Sequence, residues 1–204
     1  MKKTYKHSSE ILMDVAQNKT FVNNDLTFRC LFQLFGNRAF GMGLLFFALP
    51  SALPLSTIPG VAFAFSLPII MFSFQIIADK QTLWLPKIIA DRTIEHEKIV
   101  KIIDTTMPYL IKIERFLKPR LPLMTSRIMN IISGITIFCL ALLLILPIPL
   151  SNFIFAILIV IFSLGLIEKD GIFILIGYIA TFSYLIFIYT FILSAIKIIF
   201  RAIL

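Results

Sequence analysis

The side chains that could do chemistry are few, and they stand at the edges of long apolar runs. "ERFLKPR" at 114–120 brings Arg115 and Arg120 close in sequence, two guanidiniums able to clamp a phosphate through paired, charge-assisted donors. Glu114 and Lys118 in the same stretch also make an ordinary i, i+4 pair, so a solvated helix face explains these residues equally well. "IEKDG" at 167–171 puts Glu168 and Asp170 between two apolar blocks. Carboxylates beside lipid are costly and mark ion or proton paths, whereas a solvated turn carries them without cost. Arg38 opens the first apolar block, placed either to hold an anionic headgroup or to snorkel to the interface. Gln75 sits inside an apolar run, where its amide can bond a broken backbone group or a ligand.

The remaining reactive types point away from catalysis. His7 and His96 are the two histidines and Cys30 and Cys139 the two cysteines, too dispersed for a zinc site or an expected disulfide. Both cysteines read as small apolar side chains. "DRTIEHEK" at 91–98 sets Asp91 and Glu95 on one face of an expected helix near His96, a pattern read as a solvated helix, with a metal site as the alternative. There is no Gly-rich phosphate loop, nucleophile elbow or paired-cysteine signature. No catalytic residue, metal or cofactor is therefore expected, and the chain does not read as an enzyme.

The elements that must position the candidate residues are apolar helices. Of 204 residues 59% are hydrophobic and 15% charged, with mean hydropathy +0.96. Globular domains carry about 25% charged residues, so the balance indicates a membrane protein. Residues 39–78, 131–150, 152–167 and 171–196 contain no Asp, Glu, Lys or Arg. The opening "MKKTYKHSSE" is basic but lacks an apolar region behind it, so a cleaved signal is not expected. These features predict an all-α polytopic bundle forming a single membrane domain.

Block 39–78 is long enough for two passes, but Pro50, Pro54, Pro59 and Pro68 forbid one straight rod. It reads as a hairpin tipped by "PSALPLSTIPG" at 50–60. The limbs are Ala39–Leu49, about 16 Å of helix, and Val61–Ala78, about 27 Å. Irregular backbone cannot face lipid, so a short limb favours a broken or re-entrant hairpin with a sheltered tip. The second half echoes the first. Leu146-Pro147 and "PLS" at 149–151 repeat Leu49-Pro50 and "PLS" at 54–56, and "SLGLIEKD" at 163–170 repeats "SFQIIADK" at 73–80. An internal repeat is expected, with Pro147 and Pro149 at the second tip and limbs 131–146 and 152–167. Block 171–196 is a tilted transmembrane helix carrying Tyr178, Tyr184 and Tyr189, with Lys197 and Arg201 beyond it.

Charge places the ends. Residues 1–38 carry 6 − 3 = +3 and residues 79–130 carry 10 − 6 = +4, so both are expected on the cytoplasmic face. Within the first, residues 25–36 read as a helix capped by Asn24 or Asp25. Ile99, Ile103, Thr106, Leu110, Ile113 and Leu117 make the connector amphipathic, kinked at Pro108 and able to lie on anionic headgroups. Trp84 suits the interface. The net charge of +8 reads as membrane topology and not as nucleic-acid binding.

Several stretches together carry a family resemblance: "GNRAFG" at 36–41, the "ALP…PLS…PG" hairpin, "LWLP" at 83–86, "PYLIKIERFLKPRL" at 108–121 and "LIEKDGIFILIG" at 166–177. Over about residues 25–190 the chain resembles the ExoD family, named for exopolysaccharide synthesis. The resemblance implies a bacterial inner-membrane protein linked to exopolysaccharide production and alkaline tolerance, with no assigned reaction. One position departs from it: family members often have Arg where Lys169 stands, and lysine lacks the bidentate fork. Three functions are compatible with these readings. The first is translocation of an anionic carrier lipid or ion, with membrane lipid as partner. The second is a non-transporting role beside the exopolysaccharide-synthesis proteins, and the third is proton/cation antiport. Self-association is compatible with each.

Overall fold

The computed structural model describes residues 26–27, 33, 35–52, 61–84, 93–94, 112, 117–146 and 151–203. Five helices make the bundle: α1 Arg38–Ser51, α2 Val61–Ile77, α3 Arg127–Ile145, α4 Ser151–Glu168 and α5 Gly171–Ile203. A short 3₁₀ turn, Pro122–Thr125, leads into α3. Three helices are long and apolar enough to cross a membrane, Arg127–Ile145, Ser151–Glu168 and Gly171–Ser194, while α1 and α2 are shorter apolar helices. Large apolar side chains point outward as well as inward, with Phe46, Phe74, Ile128, Phe182 and Phe191 all mostly exposed. A helix apolar on every side is what a hydrocarbon surround requires.

The packing has a crossed order. α1 packs most extensively on α4, and α2 on α3, so the four helices pair in a crossed sense along the chain. Glycine permits both approaches. A Cβ on Gly41 of α1 would sit 2.8 Å from the Ser163 carbonyl oxygen and 2.8 Å from Ile167 Cγ1 of α4. A Cβ on Gly134 of α3 would meet Ile76 Cγ2 at 3.0 Å and Ile77 Cγ1 at 3.1 Å, on α2. In the absence of a hydrophobic drive between helices in lipid, such close backbone approach supplies the dispersion contacts that hold them. Leu44 and Ala48 of α1 and Ile137 and Ala141 of α3 are fully buried at these seams, with Phe155, Ile159 and Phe162 of α4 filling the centre. α5 joins through tyrosine. Tyr178 shares a 2.8 Å hydrogen bond with Ser133 of α3 and meets Phe162 edge-on, and Tyr184 donates to Ser151 Oγ at 3.0 Å.

Helix α2 runs unbroken through Pro68. Pro50 lies in the last turn of α1, where it has no N–H to offer the Phe46 carbonyl, and the helix is capped two residues later by Ala52 N–H, which donates to the Ala48 and Leu49 carbonyls.

Four expectations change. The limbs of the second hairpin are longer than the charge-free blocks, 19 and 18 residues against the expected 16. Arg127 begins α3 with its side chain exposed, as a long cationic side chain at a helix end can be, whereas Glu168 ends α4 buried inside the bundle. Helix α5 extends past Lys197 and Arg201 to Ile203, 33 residues in all. Leu26–Thr27 is not the start of a helix: it forms a two-residue antiparallel bridge with Thr93–Ile94, pairing Leu26 with Ile94 and Thr27 with Thr93. β-Branched Thr27, Thr93 and Ile94 favour this extended pairing over helix, and the bridge interrupts the expected helical "DRTIEHEK" face. Cys139 is exposed on α3 and not buried, since that side of the helix faces outward. The tip residues Pro54, Pro59, Pro147 and Pro149, and Arg115 with most of the connector, lie outside the described residues.

Candidate functional site

The starts of α1 and α3 and the ends of α2 and α4 meet at one end of the bundle, and between them lies an open cavity of about 260 Å³. The backbone builds this mouth with a repeated device. Helix α2 ends with Asp79 in the left-handed conformation (φ 51°), and α4 ends with Lys169 in the same conformation (φ 54°). The next residue closes each helix by a 6→1 bond: Lys80 N–H donates to the Gln75 carbonyl at 3.1 Å, and Asp170 N–H donates to the Gly165 carbonyl at 2.9 Å. This cap normally takes glycine, so two side chains are projected at a local conformational cost.

Asn37 and Asn130 from the first turns of α1 and α3, and Asp79 and Lys169 from the caps, all line the cavity. Lys80 and Arg127 complete its charged wall. Arg127 Nε stands 2.6 Å from Asp79 Oδ2, bridging the end of α2 to the start of α3. Among the described residues, Lys80 and Lys169 have no carboxylate partner. Counting Lys80, Arg127 and Lys169 against Asp79 gives 3 − 1 = +2. An open, cationic pocket lined by three amide side chains, Asn37, Gln81 and Asn130, is suited to hold an anion.

The sequence-predicted residues fall beside this mouth but mostly serve to build it. Gln75 uses both ends of its amide on one backbone unit. Its Nε2 donates to the Trp84 carbonyl at 3.1 Å, and its Oε1 accepts from Trp84 N–H at 2.7 Å. That clamp folds the segment after α2 back onto the helix. Asp170 is likewise a builder. Oδ1 accepts from Ile172 N–H at 3.0 Å, capping α5, and Oδ2 accepts from Lys118 N–H at 3.0 Å, holding the end of the connector. Gly171 N–H adds a 2.8 Å bond to the Arg120 carbonyl. Arg120 contributes that carbonyl and leaves its side chain exposed. Arg38 and Glu168 are buried, at the first residue of α1 and the last of α4. No group of three or more metal-ligating side chains occurs among the described residues.

Asn37, Lys80, Arg127 and Asn130 were not singled out by sequence reasoning. A pattern spanning both first limbs marks the two asparagines: "NRAFGMGLLFFA" at 37–48 and "NIISGITIFCLA" at 130–141 share Asn, Gly, Leu or Ile, and Ala at the same spacing. Short motifs of common residues carry weight only when, as here, both copies reach the same kind of contact.

Comparison with known proteins defines the family. The family model for exopolysaccharide synthesis, ExoD, matches residues 8–190. This chain belongs to the ExoD family. The ExoD-family chain is 36% identical over 159 residues to protein ExoD of Rhizobium meliloti (strain 1021), covering 76% of this chain and 65% of that one. It is 37% identical over 135 residues to an uncharacterized protein of Synechocystis sp., covering 66% and 63% respectively. The chain thus spans less than two thirds of the length of these curated relatives. No solved structure matches it.

Proposed function

We propose that this ExoD-family chain is a multi-pass protein of the bacterial inner membrane that moves an anionic ligand, a phosphorylated carrier lipid, in exopolysaccharide synthesis. In this reading the mouth faces the cytoplasm, in line with the basic connector that leads into it, and the N-terminus lies on the same side. The cationic cavity where the two hairpins come together carries the proposal. Crossed packing supports it further, because two hairpins sharing glycine-lined seams can shift against each other as units. Binding and movement require no covalent step, so the chain acts without catalysis. Coupling to protons would link the process to alkaline tolerance. Proteoliposomes holding fluorescent farnesyl phosphate test this: the chain should speed exchange of the probe between leaflets when a pH gradient is imposed. Exchange no faster than in empty vesicles would overturn the reading.

The clamp at Asp170 favours a second reading. Fixing Lys118 and Arg120 to the start of α5 holds residues 118–120 in one orientation, as a docking element for other exopolysaccharide-synthesis proteins would need. Co-purification of a glycosyltransferase that is lost on Asp170→Ala, with lipid exchange absent, would support this reading over the first.

A further inference from the structure

The positions that line the cavity are related in pairs. Along the second limbs, Ser73 corresponds to Ser163, so the offset is 163 − 73 = 90. That offset takes Ile76 to Leu166 and Asp79 to Lys169, and all four line the cavity. Along the first limbs the offset is 130 − 37 = 93, taking Asn37 to Asn130, both on the wall, and Gly41 to Gly134. The glycines test the correspondence independently. Gly41 abuts Ser163 and Ile167, Gly134 abuts Ile76 and Ile77, and the Ile167 and Ile77 contacts correspond, since 167 − 77 = 90. Each first limb therefore meets the same position on the opposite hairpin. Such crossed equivalence generates an approximate two-fold relation, and the cavity lies where its paired residues converge.

The backbone obeys that relation, whereas the charges do not. The first hairpin ends Asp79-Lys80 and the second ends Lys169-Asp170. Both carboxylates are already engaged, Asp79 with Arg127 and Asp170 with the Lys118 and Ile172 amides. The two lysines are left facing one cavity from opposite hairpins. The helix ends contribute in the same direction. α1 and α3 present their positive N-terminal ends to the mouth, and the carbonyls at the ends of α2 and α4 are partly tied up in their own caps.

We infer that this cavity is a binding site for a phosphate monoester, lipid-linked or free, held between Lys80 and Lys169, with Arg127 exchanging Asp79 for the ligand. The excess of two positive charges matches a monoester, whose charge at pH 7 is about −1.5 to −2, better than a singly charged diester. Asn37 and Asn130 supply neutral donors to the remaining oxygens. The inference names the ligand of the site on which the proposed function rests, and it can fail separately from it.

The test uses the full chain purified in detergent or in nanodiscs, with three probes: inorganic phosphate, phosphatidic acid as a lipid monoester and phosphatidylglycerol as a lipid diester. Phosphatidic acid or inorganic phosphate should bind at least about tenfold more tightly than the diester, and more tightly at pH 7.5 than at pH 5, because the second phosphate ionisation lies near 6. Lys80→Gln and Lys169→Gln should each weaken binding about fivefold, since each removes one charge-assisted contact. Asp79→Asn should tighten it about threefold by releasing Arg127. These residues are exposed or half-exposed, so the variants retain the fold, checked by a cooperative thermal transition within about 5 °C of the unsubstituted chain. Binding of phosphatidic acid alone identifies a lipid headgroup site, and binding of inorganic phosphate alone identifies a site for soluble monoesters. Equal affinity for the diester, binding indifferent to the double lysine variant, or weakening by Asp79→Asn would overturn the inference. Lipid exchange that survives in the double lysine variant removes this site but not translocation. Lysine-dependent binding without exchange removes translocation and leaves the site.

Discussion

The helix pairs α1–α2 and α3–α4, the expected first and second hairpins, share a backbone plan and differ in what they carry. Each carries an asparagine at or within its first turn, crosses the other at a glycine, buries a branched residue and an alanine, and ends in a left-handed cap. In the first hairpin the end of the helix is closed on itself: Gln75 clamps Trp84, and Asp79 reaches across to Arg127. The end of the second is buried, with Glu168 and Asp170 almost fully enclosed, and it anchors both α5 and the connector. The comparison teaches that one helix-ending device serves two duties, and that the residue after the cap decides which. Lysine at that position faces the cavity and aspartate becomes a structural tie.

The largest expected effect breaks the tie in the second hairpin. A Cβ on Gly171 would collide with the Leu121 carbonyl oxygen and lie 2.8 Å from that of Arg120. Both obstacles are backbone and cannot swing away. Gly171→Ala should cost about 3 kcal/mol, the upper part of the range for overpacking. It should also release the connector, seen as new protease cleavage near Lys118. Crossing points come next and separate the hairpins again. Gly41→Ala meets the Ser163 carbonyl and should cost about 2 kcal/mol, while Gly134→Ala meets only the movable side chains of Ile76 and Ile77 and should cost under about 1 kcal/mol. Thermal unfolding of the detergent-purified variants ranks the three. Equal losses at Gly41 and Gly134 would mean that the seams are not distinguished by backbone contact.

The helical class was legible in the sequence because absence of charge over long blocks leaves few alternatives to helix. Limb ends were less legible. Arg127 and Glu168 look like boundaries to a reading based on charge, yet both lie in helical turns. The bridge at Leu26–Thr27 was illegible, since its partner strand is about 70 residues distant and pairing over such a separation leaves no local period. Asp170 and Gln75 were visible as polar residues in apolar surroundings, but whether such a group binds a ligand or a backbone amide depends on which segment folds back onto it. Lys80 and Arg127 look like routine flanking cations, and only convergence of four helix ends brings them to one cavity.

A middle-sized effect separates the ties. Gln75→Leu removes both bonds to Trp84 and leaves a half-sheltered N–H and carbonyl unmatched, which should cost about 1–3 kcal/mol and increase the solvent exposure of Trp84, read as a red shift in its fluorescence. No equivalent clamp exists in the second hairpin, where the position is Gly165 packed on Ile174.

The smallest effect is the most discriminating, because its sign differs between hairpins. Lys169 occupies a left-handed cap, a conformation that costs a lysine about 1–2 kcal/mol and a glycine almost nothing. Lys169→Gly recovers that strain and loses about 0.5–1 kcal/mol to the greater freedom of the unfolded chain. The net should be stabilisation by about 0.5 kcal/mol, measured without added anion. Asp79→Gly offers less relief, since short polar side chains enter this region more readily, and it removes the bond to Arg127. A surface pair is worth about 0.2–1 kcal/mol, so this variant should be destabilised by about 0.5 kcal/mol. Melting-temperature shifts of opposite sign would establish that the caps share a conformation but not a role. Stabilisation by both substitutions would mean that the Asp79–Arg127 pair contributes nothing, and that Arg127 is available to the cavity from the start.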